Sequence, residues 1–95
     1  MTSYSLRFHK LALKEWKKLD STIQTQFKKK LVERLENPRI PSVALSGMPD
    51  CYKIKLRKLG YRLVYRVDQD ILYVTVMAIG KREKLEAYRA AKHRE

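Results

Sequence analysis

The sequence is short of most residues that specialised chemistry requires. It has one cysteine, Cys51, in 95 residues, which excludes an internal disulfide framework and any cysteine-based zinc cluster. Its two histidines, His9 and His93, lie at opposite ends of the chain, so no His pair is set up by local spacing. Three glycines and three prolines leave no Gly-rich phosphate loop and no low-complexity linker. HExxH and GxSxG motifs are absent as well. No apolar run approaches the roughly 18 residues needed to cross a bilayer, and MTSYSLRFHK at the N-terminus has no apolar signal core. A reducing cytoplasm is therefore the expected compartment, with no membrane partner.

Negative charge is also scarce. Ten Asp and Glu stand against 22 Lys and Arg, a formal net charge of +12. Residues 1–50 hold ten basic and five acidic groups, and residues 51–95 hold twelve and five. The excess thus belongs to the whole chain and not to a basic tail. With 44% apolar residues the chain is too hydrophobic to be disordered, and its length suits a single domain spanning 1–95. A small domain that repels itself this strongly is expected to meet a polyanion.

Periodicity gives the organisation. Tyr4 to Phe8 alternates as a short strand. Ala12, Leu13, Trp16 and Leu19 then fall at helical spacing, predicting a first helix to about Asp20, with Trp16 in its apolar stripe. Ser21 and Thr22 offer an N-cap for a second helix, whose stripe is Ile23, Phe27, Leu31 and Leu35. Asn37-Pro38 stops it. A loop rich in Pro, Ser and Gly runs to Asp50. Alternation returns in Cys51 to Arg57 and in Tyr61 to Asp68, with a turn at Lys58-Leu59-Gly60 between them. Asp68 and Asp70 read as turn residues. Ile71 to Ile79 is nearly all apolar, as a strand covered on both faces would be, and Gly80 should end it. Lys81 to about Ala91 predicts a last helix with Leu85, Tyr88 and Ala91 inward. The order is β-α-α-β-β-β-α. It defines an α+β fold: a mainly antiparallel sheet with an N-terminal helical hairpin and a C-terminal helix.

Alternation also sorts the cations. Lys53, Lys55 and Arg57 share one strand face, opposite Tyr52, Ile54 and Leu56. Arg62 and Arg66 oppose Tyr61, Leu63, Tyr65 and Val67. If the apolar sets share the core, up to five positive charges share the other face. Such a row is often only a solvated surface. Here, however, no acidic residue interrupts Cys51 to Val67, whereas ordinary solvated faces are mixed. Lys81-Arg82 follows the apolar strand, where Arg82 would add to this face. Tyr88 would stand beside it as an inward aromatic or as a ring able to stack on a base. Lys14, Lys17, Lys18 and the triplet Lys28-Lys29-Lys30 read either as solvated helix faces or as phosphate contacts. Cys51, with no histidine on a neighbouring element, reads as structural.

The strings GMPDCYKIKLRKLGYRLVYRV and GKREKLEAY, with LALKEWKKLD and KKKLVERLENPRI before them, closely resemble the RelE-type toxins of bacterial type II toxin–antitoxin systems. The resemblance runs from Tyr4 to Lys92. It implies the RelE-like microbial RNase fold and a ribosome-dependent mRNA endoribonuclease acting in the ribosomal A site. Implied partners are a cognate RelB-type antitoxin, the small ribosomal subunit with its 16S rRNA, and the A-site mRNA. Operator DNA would be met only through the antitoxin, and no cofactor or metal is implied. The family's active-site set falls on Lys53, Lys55, Arg62, Arg82 and Tyr88. Ribosome or RNA contacts would fall to Lys14, Lys17, Lys18, Lys28, Lys29, Lys30, Arg57, Arg66 and Lys81. Some relatives carry an arginine where this chain has Ser46, and others a Glu/His pair that it lacks. Gyrase-targeting relatives share the fold without the five-residue set, and a non-catalytic ribosome binder is the other alternative.

Overall fold

The computed structural model describes residues 3–81 and 86–94. The chain runs β1 (Ser5–Phe8), α1 (Lys10–Lys18), α2 (Ser21–Glu36), β2 (Cys51–Leu56), β3 (Tyr61–Asp68), β4 (Tyr73–Lys81) and α3 (Glu86–Arg94). Single 3-10 turns lie at Pro41–Val43 and Gln69–Ile71. The order of elements is the one that periodicity predicts.

Local chemistry sets the helix ends. His9 Nδ1 accepts from Leu11 N at 3.2 Å and opens α1. Asp20 caps α2, its Oδ1 accepting from Ile23 N at 3.0 Å; the cap is therefore Asp20, with Ser21 the first residue of the helix. Only Leu19 and Asp20 separate the two helices, and Gln24 Nε2 clamps the joint by donating to Trp16 O at 2.8 Å. Asn37 N returns to Glu33 O, and Pro38 prevents a further turn. Gly60, at φ 71°, closes the β2–β3 hairpin in a left-handed conformation that a side chain would strain.

The four strands lie in the order β1-β4-β3-β2. β2–β3 and β3–β4 are antiparallel, and β1 runs parallel to β4. β4 is thus a central strand, and its residues Val74 to Gly80 are all buried. It begins at Tyr73, not Ile71. Ile71 belongs to the 3-10 turn and Leu72 adopts a left-handed φ of 55°, so both side chains are exposed. β4 also runs through Gly80 to Lys81. Gly80 therefore does not end the strand, and the described part of α3 begins at Glu86.

Both sheet faces are covered. On one, Phe27, Leu31, Ile54, Leu63, Tyr65, Val74 and Val76 form the main core beneath α1 and α2. Phe8, Trp16 and Phe27 pack in series there as tilted ring pairs, with centroids 5.5 and 6.4 Å apart. Leu13, expected in the α1 stripe, is instead 37% exposed, and Ala12 and Trp16 face inward. On the other face Cys51, Val64, Met77 and Ala78 pack against Ala87 and Ala91 of α3. Leu85, also expected to point inward, lies outside the described residues. A bulge serves both layers: Val64 pairs with Ala78 but Tyr65 with Val76, so Met77 is an extra residue. It switches the parity of β4, keeping Val74, Val76 and Ile79 on one core while Met77 and Ala78 serve the other.

Tyr65 is fully buried in the main core, and its hydroxyl ties three elements together. It donates to Pro38 O at 2.6 Å and accepts from Arg34 Nη1 at 3.0 Å; Arg34 also donates to Lys53 O at 3.1 Å. Burial pushes the phenol above its ordinary pKa, against the pull of Arg34. Tyr65→Phe leaves a buried carbonyl and part of a guanidinium unpaired, a loss of about 1–3 kcal/mol. Urea unfolding should show a lower midpoint at unchanged slope. A midpoint equal to that of the unsubstituted chain would contradict this role.

Candidate active site

Because β2 alternates and its register with β3 is regular, Lys53 and Lys55 lie on the α3 side of the sheet, between the buried Tyr52, Ile54 and Leu56. Lys55 is paired directly with Arg62, and Arg62 in turn with Gly80. One row across three strands therefore reads Lys55, Arg62, Gly80.

The glycine decides what stands above the row. A Cβ at Gly80 would come within 2.5 Å of Glu86 Cβ and 2.8 Å of Ala87 N. The first described turn of α3 thus lies directly on the strand, a contact no larger residue permits. Glu86 Oε2 accepts from Lys81 N at 3.2 Å and fixes the same junction. This approach brings Tyr88 over Arg62, whose Nη1 donates to the Tyr88 hydroxyl at 2.9 Å with its guanidinium carbon 5.1 Å from the ring centre. Arg62 Nε is buried and has no hydrogen-bond partner among the described residues. A cleft of about 420 Å³ opens beside them, lined by Lys55, Leu56, Arg57, Tyr61 and Arg62.

The electrostatics follow from this crowding. The neighbouring Lys53 ammonium, followed by partial desolvation and then by Arg62 and Arg57, pushes Lys55 below the ordinary lysine value. The site so combines an ammonium that gives up its proton unusually readily, a guanidinium with a spare buried donor, and a phenol held in place by that guanidinium. Such a set can bind a phosphodiester, stabilise negative charge developing on it and exchange a proton with it.

The structure brings together Lys53, Lys55, Arg62 and Tyr88, with Arg57 beside them just past the end of β2. Arg82 lies outside the described residues. Arg66 shares the face but is paired with Cys51 at the other end of the hairpin, and there it forms an ion pair with Asp68 at 2.9 Å. Asp68 also accepts from Thr75 Oγ1 at 2.7 Å. Burial raises its pKa, but the bonds from Thr75 and Arg66 outweigh this and hold the carboxyl below its ordinary value. Arg66 is thereby committed to a fold contact. Lys81 pairs with Tyr61, which alternates away from Arg62, so the lysine stands apart from the row. Lys14, Lys17, Lys18, Lys28 and Lys29 are exposed on helices covering the opposite sheet face. Lys30 differs: it lines a groove of about 600 Å³ with Thr22, Gln26 and residues 55–59, which carries positive charge round the β2 edge into the cleft. Ser46 is exposed in the loop before β2. Among the described residues no group of three or more His, Cys, Asp or Glu could hold a metal ion. Sequence reasoning missed Arg34, which braces the Lys53 backbone from α2, and the part played by Gly80. A side chain reaching across layers leaves no periodic signal, and a glycine in a strand reads first as a break.

A fold and cleft of this kind define a small basic α+β protein with a cation-lined cleft on one sheet face. Comparison with known proteins narrows the class. Residues 6–86 match the family model of the ParE toxin of the type II toxin–antitoxin system parDE. The chain is 58% identical over 89 residues to the mRNA interferase toxin RelE of Escherichia coli K12, covering 94% of each. It superposes on a doubly substituted E. coli RelE in the free state with a TM-score of 0.89 at 56% identity, covering 97% of each chain. Against RelE in the intact E. coli RelBE toxin–antitoxin complex the TM-score is 0.81 at 59% identity, covering 83% of this chain and 96% of that one. The chain belongs to the RelE/ParE family of type II toxin–antitoxin toxins.

The folded chain holds the Lys55 proton less tightly than the unfolded chain does. Stability should therefore rise with pH between the depressed Lys55 value and the ordinary lysine value. In a side-chain NMR titration Lys55 should lose its proton below the ordinary lysine value, and Lys53→Met should move it upward. A Lys55 that titrates at the ordinary lysine value, or is unmoved by Lys53→Met, would contradict the coupling.

Proposed function

We propose that this chain is the toxin of a type II toxin–antitoxin pair and cleaves mRNA in the ribosomal A site, so stopping translation. The reading is carried by one observation: Lys55 and Arg62 stand opposite each other in one cleft, with Lys53 beside Lys55 and Tyr88 bonded to Arg62. The likeness to RelE supports it. The chain works in the cytoplasm, on translating ribosomes. A cognate RelB-type antitoxin binds and silences it, as the RelBE complex suggests by analogy.

Cleavage of a phosphodiester requires removal of a proton from the nucleophile, stabilisation of a pentavalent phosphate and a route for the leaving oxygen. RNA carries its own nucleophile, the 2′-hydroxyl. Its attack on the adjacent phosphorus breaks the P–O5′ bond and leaves a 2′,3′-cyclic phosphate and a 5′-hydroxyl. Lys55, with its lowered proton affinity, or Lys53 beside it serves as base. Arg62, whose Nε has no partner among the described residues and whose Nη1 is shared with Tyr88, holds the phosphate and takes up its developing charge. Tyr88 orients the 2′-hydroxyl or stacks on a base. Arg82 is assigned to the leaving 5′-oxygen through the family resemblance alone. A guanidinium contributes there as a hydrogen-bond donor, since its pKa above ~12 makes proton loss costly.

The ribosome contributes orientation, the entropic part of catalysis that a shallow cleft on a small domain does not supply. The exposed lysines of α1 and α2 hold ribosomal RNA through its phosphates, with Lys30 nearest the cleft.

The family model bears the ParE name, so a gyrase-directed toxin is the second reading. One experiment separates them. Stalled ribosomes with a defined A-site codon are treated with the toxin, and the mRNA is read by primer extension. New 5′ ends within the codon are expected, with Arg62→Ala slowing their appearance roughly 100-fold or more. Blocked translation with intact mRNA would indicate inhibition by occupancy. DNA breaks with unaffected translation would indicate gyrase.

A further inference from the structure

β1 is too short for its neighbour. It pairs with β4 from Tyr73 to Val76, so among the described residues the same edge of β4 has no strand beside it from Met77 onward. Backbone groups left bare on a buried strand are costly unless something replaces the missing ladder. Two side chains replace it. Glu15 of α1 accepts from Ile79 N at 3.1 Å, and Arg94, the last residue of α3, donates through Nη1 to Met77 O at 3.0 Å. The two also bind each other in the fork geometry, Nη1 to Oε1 at 2.8 Å and Nη2 to Oε2 at 3.1 Å. The Arg94 side chain is only 14% exposed, and lysine could not reproduce this bidentate contact.

The pair is therefore more than a surface ion pair. It joins α1, the bulge of β4 and the end of α3 at one point. α3 carries Tyr88 and is held at its other end by the Gly80 contact. Ala87 and Ala91 supply its fully buried contacts in between, and Tyr88 and Ala90 pack partly buried against the same layer, so the clamp at Arg94 adds a fixed polar point to a layer of mostly small side chains.

We propose that Glu15 and Arg94 are positioning residues: together they set α3 against the sheet so that Tyr88 meets Arg62. This rests on the cleft being the site of RNA cleavage and on Tyr88 taking part. Neither residue touches the cleft, so each acts on the reaction only through α3.

The test is a cycle of variants in single-turnover cleavage of A-site mRNA. Arg94→Met keeps the aliphatic stem and removes the fork; Glu15→Gln is the second variant, used if the first proves less than fully folded by circular dichroism. Arg94→Met should slow cleavage at saturating toxin by roughly tenfold or more. The toxin concentration giving half-saturation should stay unchanged, because the docking surface is untouched. Combined with Tyr88→Ala it should cost nothing beyond Tyr88→Ala alone, since the residue it positions is already gone. The full Arg94→Met penalty on top of a slow Tyr88→Ala enzyme would overturn the positioning role while leaving the cleavage site intact. So would a wild-type rate for folded Arg94→Met. A wild-type rate for Tyr88→Ala would overturn the participation of Tyr88, and the proposal with it.

Discussion

Like charges held opposite one another on neighbouring strands are the constraint around which this domain is organised. Lys55 faces Arg62 across β2 and β3, with Lys53 alongside. Strand register fixes that opposition, and alternation prevents any of the three from turning into the core. Nothing acidic on these strands relieves it before Asp68, which is engaged by Arg66 at the far end. The repulsion lowers the proton affinity of Lys55 and leaves the face seeking an anion. What disfavours the isolated fold is thus the property that, on the proposed function, binds and activates a phosphodiester.

The remaining structure carries this cost. The large apolar residues lie beneath α1 and α2, where Phe27, Leu31, Tyr65 and the aromatic series with Phe8 and Trp16 form the main core. The cation-bearing face receives a thinner layer, made by Ala87 and Ala91 against Val64, Met77 and Ala78. Division of labour follows. One face supplies stability, while the other keeps its side chains short enough for a helix to lie close and its cations open enough to be reached. The bulge at Met77 lets a single central strand serve both layers.

Much of this is legible in the chain. The order β-α-α-β-β-β-α follows from period changes, and the cation face follows from alternation between Cys51 and Val67. Alternation and position in the sequence single out Lys53, Lys55, Arg62 and Tyr88. Signals that depend on contact are not legible. Gly80 reads as a stop, yet it serves as a seat for α3, because a strand tolerates glycine where another backbone must approach. Ile71 and Leu72 look like strand and are turn, since hydrophobicity alone does not reveal a left-handed residue. Arg66 looks equivalent to Arg62 by alternation, yet Asp68, two residues along the same strand, engages it. Glu15 and Arg94 lie 79 residues apart, and no local pattern joins them.

On the proposed function, the cation cluster promotes attack by RNA on itself. The most direct measurement places a single 2′-O-methyl group on the nucleotide 5′ of the scissile phosphate, in mRNA held on a stalled ribosome. The toxin should bind this complex as well as the unmodified one and leave that bond intact. The unmodified mRNA should yield a 2′,3′-cyclic phosphate and a 5′-hydroxyl. Cleavage of the methylated bond at an undiminished rate would contradict the account, because the nucleophile would then have to come from elsewhere.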